Sequence, residues 1–197
     1  MGRLFSYVVD HDYGISPNPA GGFCTLAFCK FSRTGARPNV VELAQKGDWV
    51  IGTGGVSRFS VGRGKLVYAM RIGENLPLSE FLKRFVGRDG NDHDLSRLRQ
   101  RRALVSDHFF YFGSSAPELA PQHLARPIEK RGQGFRNRFE ADFIADFERW
   151  LLNVAGSMPP LARGIYGLPA AASDARWVEK FTPPVRKTPR RVCRPTC

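Results

Sequence analysis

The sequence predicts an α+β domain followed by a basic tail, and three observations carry that reading. Short runs rich in β-branched and aromatic residues alternate with connections rich in glycine, proline and aspartate. Two segments instead place apolar residues at three- and four-residue steps, the spacing of one helical face. The last eighteen residues hold six cations and four prolines with no acid, a composition that cannot build a core.

In chain order, Leu4 to Val9 reads as a first strand and residues 24–31 as a second. The connection between them, residues 10–22, is expected to be an ordered loop. Tyr13 and Ile15 anchor it, while Asp10, Asp12 and Asn18 can bond to neighbouring amides. Residues 40–44 read as a short helical turn leading to Gly47, and two strands follow around Val50-Ile51 and Leu66-Val67-Tyr68-Ala69-Met70. The segment between these strands, residues 53–64, is glycine-rich, which lets backbone approach a ligand closely. Leu78, Phe81, Leu82 and Phe85 share a helical face with Ser79 as a cap. Residues 88–102 turn strongly polar and read as a surface insertion. Leu104-Val105 and Phe109-Phe110-Tyr111-Phe112 then form a buried strand interrupted by Ser106-Asp107-His108. Phe143, Ile144, Phe147, Trp150, Leu151 and Val154 mark the clearest helix, over residues 141–154.

At 197 residues the chain holds one core of about 150 residues plus an extension. The expected division is residues 1–156 as the domain, 157–179 as an irregular extension, and 180–197 as a basic, disordered tail. The net charge of +12 points to a polyanion, and half of it is Lys180, Arg186, Lys187, Arg190, Arg191 and Arg194 in that tail. No stretch approaches the roughly 18 apolar residues that span a bilayer, and Met1-Gly2-Arg3-Leu4 does not begin a signal peptide, so a cytoplasmic location without membrane partners is expected. Cys24, Cys29, Cys193 and Cys197 lack the spacing of zinc knuckles, so no metal is expected. Gly52-Thr53-Gly54-Gly55 lacks the Lys-Ser/Thr ending of a phosphate loop, and no cofactor is expected.

Four ordered blocks carry a family resemblance. They are Leu4-Phe5-Ser6-Tyr7-Val8-Val9-Asp10-His11-Asp12-Tyr13-Gly14; Asn18-Pro19-Ala20-Gly21-Gly22-Phe23-Cys24-Thr25-Leu26-Ala27; Gly47-Asp48-Trp49-Val50-Ile51-Gly52-Thr53-Gly54-Gly55 with Lys65-Leu66-Val67-Tyr68-Ala69-Met70-Arg71-Ile72; and Leu104-Val105-Ser106-Asp107-His108-Phe109-Phe110-Tyr111-Phe112-Gly113. Over residues 1–153 they resemble the nucleotide modification associated domain 2 family. The resemblance implies a place in bacterial or phage systems that handle modified nucleotides or bases, with no established reaction. The third block is also similar to the strand pair of PUA-like barrels, which implies a small mixed or antiparallel β-barrel with flanking helices.

Two acid–histidine groups stand out as candidate chemistry. Asp10-His11-Asp12 and Ser106-Asp107-His108 both sit at strand ends, where His11, Asp12, Asp107 and His108 could supply acid–base groups to one cleft if the protein is an enzyme. Cys24 opens an apolar strand and reads as a small core residue rather than a nucleophile. For a base-binding pocket the candidates are Asp10, Tyr13, Asn18, Gly22, Phe23, Trp49, Thr53, Gly54, Tyr68 and Tyr111. Their aromatic rings can stack a base, with the amides of Thr53 and Gly54 reading its edge; core packing is the alternative duty of Trp49 and Tyr68. Lys130, Arg131, Gly132, Gly134 and Arg136 precede a helix and form a candidate phosphate site. The function expected is binding of a nucleotide or modified base, within nucleic acid, in a nucleotide or DNA modification system. Acid–base chemistry on a nucleotide or nucleobase is the alternative, and a protein-interaction module a further one.

Overall fold

A computed structural model describes residues 2–27, 37–85, 102–120, 122–130 and 133–171. Strands β1 (Leu4–Val9), β3 (Trp49–Gly54), β4 (Leu66–Arg71) and β7 (His108–Tyr111) are apolar on both faces, the pattern of a sheet covered on two sides. With β8 (Phe135–Arg136) they form a mixed sheet of order β7-β4-β3-β1-β8, in which β1 and β3 run parallel and the other pairs antiparallel. A second, antiparallel sheet has the order β2-β6-β5, from β2 (Cys24–Leu26), β5 (Glu74–Pro77) and β6 (Arg102–Ser106).

Side-chain alternation sorts these strands into four layers. Phe5, Tyr7, Val50 and Met70 project from the large sheet onto Cys24, Leu26 and Leu104 of the small one, with Val40 and Val41 of α1 (Val40–Leu43) sealing the same core. Leu4, Trp49, Ile51 and Leu66 project the other way, under α3 (Gln122–Ile128) and α4 (Ala141–Ser157). The outer face of the small sheet holds Leu76, Ala103 and Val105 beneath Phe81 and Phe85 of α2 (Leu78–Phe85). In α4 the expected stripe is the packed one: Ile144, Phe147 and Leu151 are buried, and truncating any of them to Ala costs about 2–5 kcal/mol.

The two sheets are joined by strands that pass from one to the other. β4 continues through Ile72 and Gly73 into β5, and β6 continues through Asp107 into β7. Ser106 fixes that corner: its hydroxyl lies 2.6 Å from the Arg71 carbonyl oxygen and accepts the His108 N–H at 3.1 Å. Sequence reading took residues 104–112 as one interrupted strand, and the interruption is this change of sheet. The sheets keep free ends in their strand order, so the described strands form an α+β sandwich and no closed barrel.

Three elements escape the sequence pattern. β5 is polar and ends in Pro77, tolerable because β5 is an edge strand. α3 carries Pro127 in its last turn, and β8 is only two residues long. Helix α2 starts at Leu78, so Ser79 lies inside its first turn instead of capping it. Residues 28–31 of the expected second strand, the polar segment as far as residue 101, and the basic tail lie outside the described residues.

Candidate functional site

The site assembles at the C-terminal end of β1, where β1 stops and the 55–60 loop folds over it. Asp10 fixes that loop: its Oδ1 accepts the backbone N–H groups of Val56 and Ser57, each at 3.0 Å. Ser60 adds a second tie, its hydroxyl donating to the Val9 carbonyl at 3.1 Å and accepting the Gly55 N–H at 2.7 Å. Gly55 must lack a side chain, because a Cβ there would overlap Asp10 Oδ1.

This arrangement gathers three rings at the surface. His11 and Tyr13 lie nearly parallel, 6.1 Å apart at 13°, and Phe59 stands 5.6 Å from Tyr13 and 6.0 Å from His11. The Arg58 guanidinium sits 4.5 Å from the Phe59 ring centre, a cation–π distance. Tyr13 is 42% exposed, high for a large aromatic residue, and the neighbouring Val56 is 72% exposed. His11 Nδ1 lies 4.0 Å from Asp10 Oδ2 with both side chains about half exposed.

Asp12 holds the platform from below. Its backbone N–H donates to the Phe59 carbonyl at 3.2 Å, and the Ala171 N–H donates to its own carbonyl at 2.9 Å. The carboxylate accepts the Tyr111 hydroxyl at 2.7 Å, the Ala170 N–H at 3.1 Å and the Gly14 N–H at 3.3 Å. Burial raises the Asp12 carboxyl above its ordinary value, while those three donors pull it back. Burial together with the Asp12 charge pushes the Tyr111 hydroxyl and the Cys24 thiol up, so Cys24 stays a protonated core residue. Asp12 is 1% exposed, so it positions its neighbours and does not meet a ligand in this arrangement.

The remaining base-site candidates serve the scaffold. Tyr7, Gly52, Tyr68 and Tyr111 form one in-register row across four strands, with Tyr7 and Tyr68 sharing a hydroxyl bond of 2.7 Å above Gly52. Tyr68 and Tyr111 are wholly buried. Trp49 is core, its indole N–H donating to Glu148 at 2.5 Å, and Phe23 packs edge-on against Phe85. Asn18 pairs with Thr25 through its backbone and accepts the Ala20 N–H on its side chain, while Gly22 is an exposed turn residue with positive φ. Thr53 donates its hydroxyl to the Tyr7 carbonyl, and the Gly54 N–H bonds to Lys65. The amide expected to read a base edge at Gly54 is thus engaged within the sheet.

The single cleft uniting both histidines does not form. His108 pairs with Arg71, which pairs with Trp49, which pairs with Leu4, at the start of β1; the platform follows Val9 at its end. Five residues of extended chain separate those rows, roughly 17 Å. His108 instead lies against Trp49 and Phe110, with Asp107 exposed at the corner.

The phosphate candidates divide. Arg131 and Gly132 lie outside the described residues. Lys130 lies beside Gly134, which takes a positive φ. Arg136 donates to the carbonyls of Arg126 and Pro127 at 3.1 and 2.8 Å, capping α3. Glu140 stands at the N-cap position of α4 without a side-chain capping bond and Asp142 lies in the first turn, so acids of the chain itself face the positive helix end. Sequence reasoning missed Phe59 and Arg58, although an aromatic residue beside arginine in a loop of Gly and Ser is legible as a ring near the surface.

No helix among the described residues is long and apolar enough to cross a membrane, and no group of three His, Cys, Asp or Glu there could hold a metal. No curated protein and no solved structure matches the chain. The family model described as nucleotide modification associated domain 2 matches it over residues 1–88 and 86–173, spanning the platform, both sheets and the segment that ends on Asp12. The chain therefore belongs to the nucleotide modification associated domain 2 family.

Proposed function

We propose that this protein binds the base of a nucleotide, modified or ordinary, at the platform of His11, Tyr13 and Phe59. The observation that carries the reading is the clustering of two exposed rings, His11 and Tyr13, with the half-buried Phe59 and its neighbour Arg58, on a loop pinned by Asp10. Ordering these rings costs conformational entropy, and leaving them wet forgoes burial. A base stacked on Tyr13 or Phe59 covers that surface, and the Arg58 guanidinium offers both a stacking plane and phosphate donors. Membership of a family named for nucleotide modification supports a ligand of that class.

The test is isothermal titration at low ionic strength with a panel of ordinary and modified nucleotides. Tyr13→Ala should weaken the best ligand by about 5- to 150-fold, the equivalent of about 1–3 kcal/mol per stacked base. Equal affinity for wild type and Tyr13→Ala would defeat the reading. Acid–base chemistry is favoured by one observation only, His11 beside Asp10 at 4.0 Å. A mass change in a bound nucleotide, abolished by His11→Ala with affinity kept, would turn the binding site into an active site.

A further inference from the structure

Asp10 uses one carboxylate oxygen in the fold and leaves the other open. Oδ1 accepts the N–H groups of Val56 and Ser57, each at 3.0 Å, which occupies both of its lone-pair directions and fixes the plane of the carboxylate. Oδ2 receives no hydrogen bond among the described residues, since His11 Nδ1 stands 4.0 Å away, beyond hydrogen-bond length. No described arginine or lysine pairs with it, and the side chain is 45% exposed. Asp12, on the other side of His11, is the contrast: its carboxylate accepts from Tyr111, Gly14 and Ala170 and is buried. Of the two carboxylates flanking His11, only that of Asp10 offers an acceptor to solvent, and it lies at the rim of the platform.

That position decides what the acceptor meets. A nucleobase is wider than an imidazole ring, so a base stacked on His11 and Tyr13 overhangs the His11 edge toward Oδ2. A fixed carboxylate oxygen there accepts an N–H and repels the lone pairs of a carbonyl. Adenine and cytosine carry an exocyclic amino group where hypoxanthine and uracil carry a carbonyl oxygen. Resting on the base-stacking reading, we infer that Asp10 determines which base the platform takes: Oδ2 accepts the amino N–H of a stacked adenine or cytosine, and the carbonyl of hypoxanthine or uracil is turned away. Modification is read by the same chemistry. An amino nitrogen carrying two alkyl groups has no N–H left and is rejected like a carbonyl, whereas a methyl group on C5 of cytosine leaves the donor in place. Asp10 thus has two duties on two oxygens: Oδ1 shapes the loop that presents Phe59, and Oδ2 reads the rim of the base.

The experiment is isothermal titration of the full chain at low ionic strength with the monophosphates of cytidine, uridine, adenosine and inosine, for wild type and Asp10→Asn. A hydrogen bond to a charged acceptor predicts that wild type prefers cytidine to uridine, and adenosine to inosine, by about 10- to 150-fold. In Asp10→Asn the amide oxygen still accepts the Val56 and Ser57 N–H groups, while the amide nitrogen donates where Oδ2 accepted. The preference should therefore fall to parity or reverse, with cleavage of the 56–60 loop in limited proteolysis unchanged. Equal affinities within each pair in wild type, with both ligands weakened by Tyr13→Ala, overturn the inference and leave the stacking site standing. A wild-type preference that survives intact in Asp10→Asn overturns the role of Asp10. If that variant loosens the loop, wild type alone decides: rejection of dimethylamino-cytidine monophosphate with retention of its C5-methyl isomer class supports the inference, and equal binding of the two overturns it. Absence of binding to every nucleotide removes both readings together.

Discussion

Replacing Tyr111 with Phe removes one oxygen from the buried support of the platform and changes little else in shape. The lost bond is the 2.7 Å donation from the Tyr111 hydroxyl to Asp12 Oδ1. When Asp12 is ionised this is a hydrogen bond to a charged group, worth about 1.5–3 kcal/mol; when Asp12 is protonated it is an ordinary bond, worth about 0.5–1.5 kcal/mol. The pH dependence follows from the direction of the Asp12 shift. Burial raises the folded carboxyl above its ordinary value of 3.8, so as pH climbs past that point the unfolded state releases its proton first. The contribution of this group is therefore full below the unfolded value and declines until pH passes the folded value. Removing the Tyr111 hydroxyl removes an influence that lowers the folded value, which extends the decline to higher pH. Urea unfolding followed by tryptophan fluorescence should give a loss of about 1 kcal/mol at pH 3, growing to about 2–3 kcal/mol at pH 7. A loss under about 0.5 kcal/mol at pH 7, or one that is larger in acid, would refute the buried-carboxylate reasoning.

Gly52→Ala places a Cβ 2.5 Å from Tyr68 Cε1 and in overlap with Val9, which should cost about 1–3 kcal/mol or more and lower the thermal midpoint. Asp10→Ala frees the amides of Val56 and Ser57, so limited proteolysis should cut the 56–60 loop faster while the unfolding midpoint moves little. His11→Ala should weaken nucleotide binding, whereas His108→Ala should leave it unchanged because His108 lies at the opposite end of β1. Loss of binding in both variants would restore the shared cleft that the strand register argues against.

The fold was legible wherever side-chain period and burial agree. β1, α2 and the helix beginning at Ala141 fall where their patterns place them, because each buries an apolar face that the sequence displays. Elements held by position, not pattern, were opaque: β5 is an edge strand with a terminal proline, and β8 contributes two residues to the rim of a sheet. The site was legible in part for the same reason. His11 and Tyr13 stand out in a polar connection, but nothing in the sequence indicates that Asp10 would draw the 55–60 loop across and deliver Phe59. Tyr68 and Tyr111 are both stacking candidates in the sequence, and their complete burial in an in-register row with Tyr7 and Gly52 reveals them as core. Histidines that follow similar strand ends in the sequence can lie at opposite ends of one sheet once β1 and β3 run parallel.

The most direct test is photo-crosslinking of the full chain to a single-stranded oligonucleotide bearing one 5-iodocytosine, with the attachment sites mapped by mass spectrometry. Stacking on the platform predicts crosslinks at His11, Tyr13 or Phe59 that disappear with an unlabelled competitor. Crosslinks confined to Trp49, His108 or Phe110, at the other end of the sheet, would contradict it.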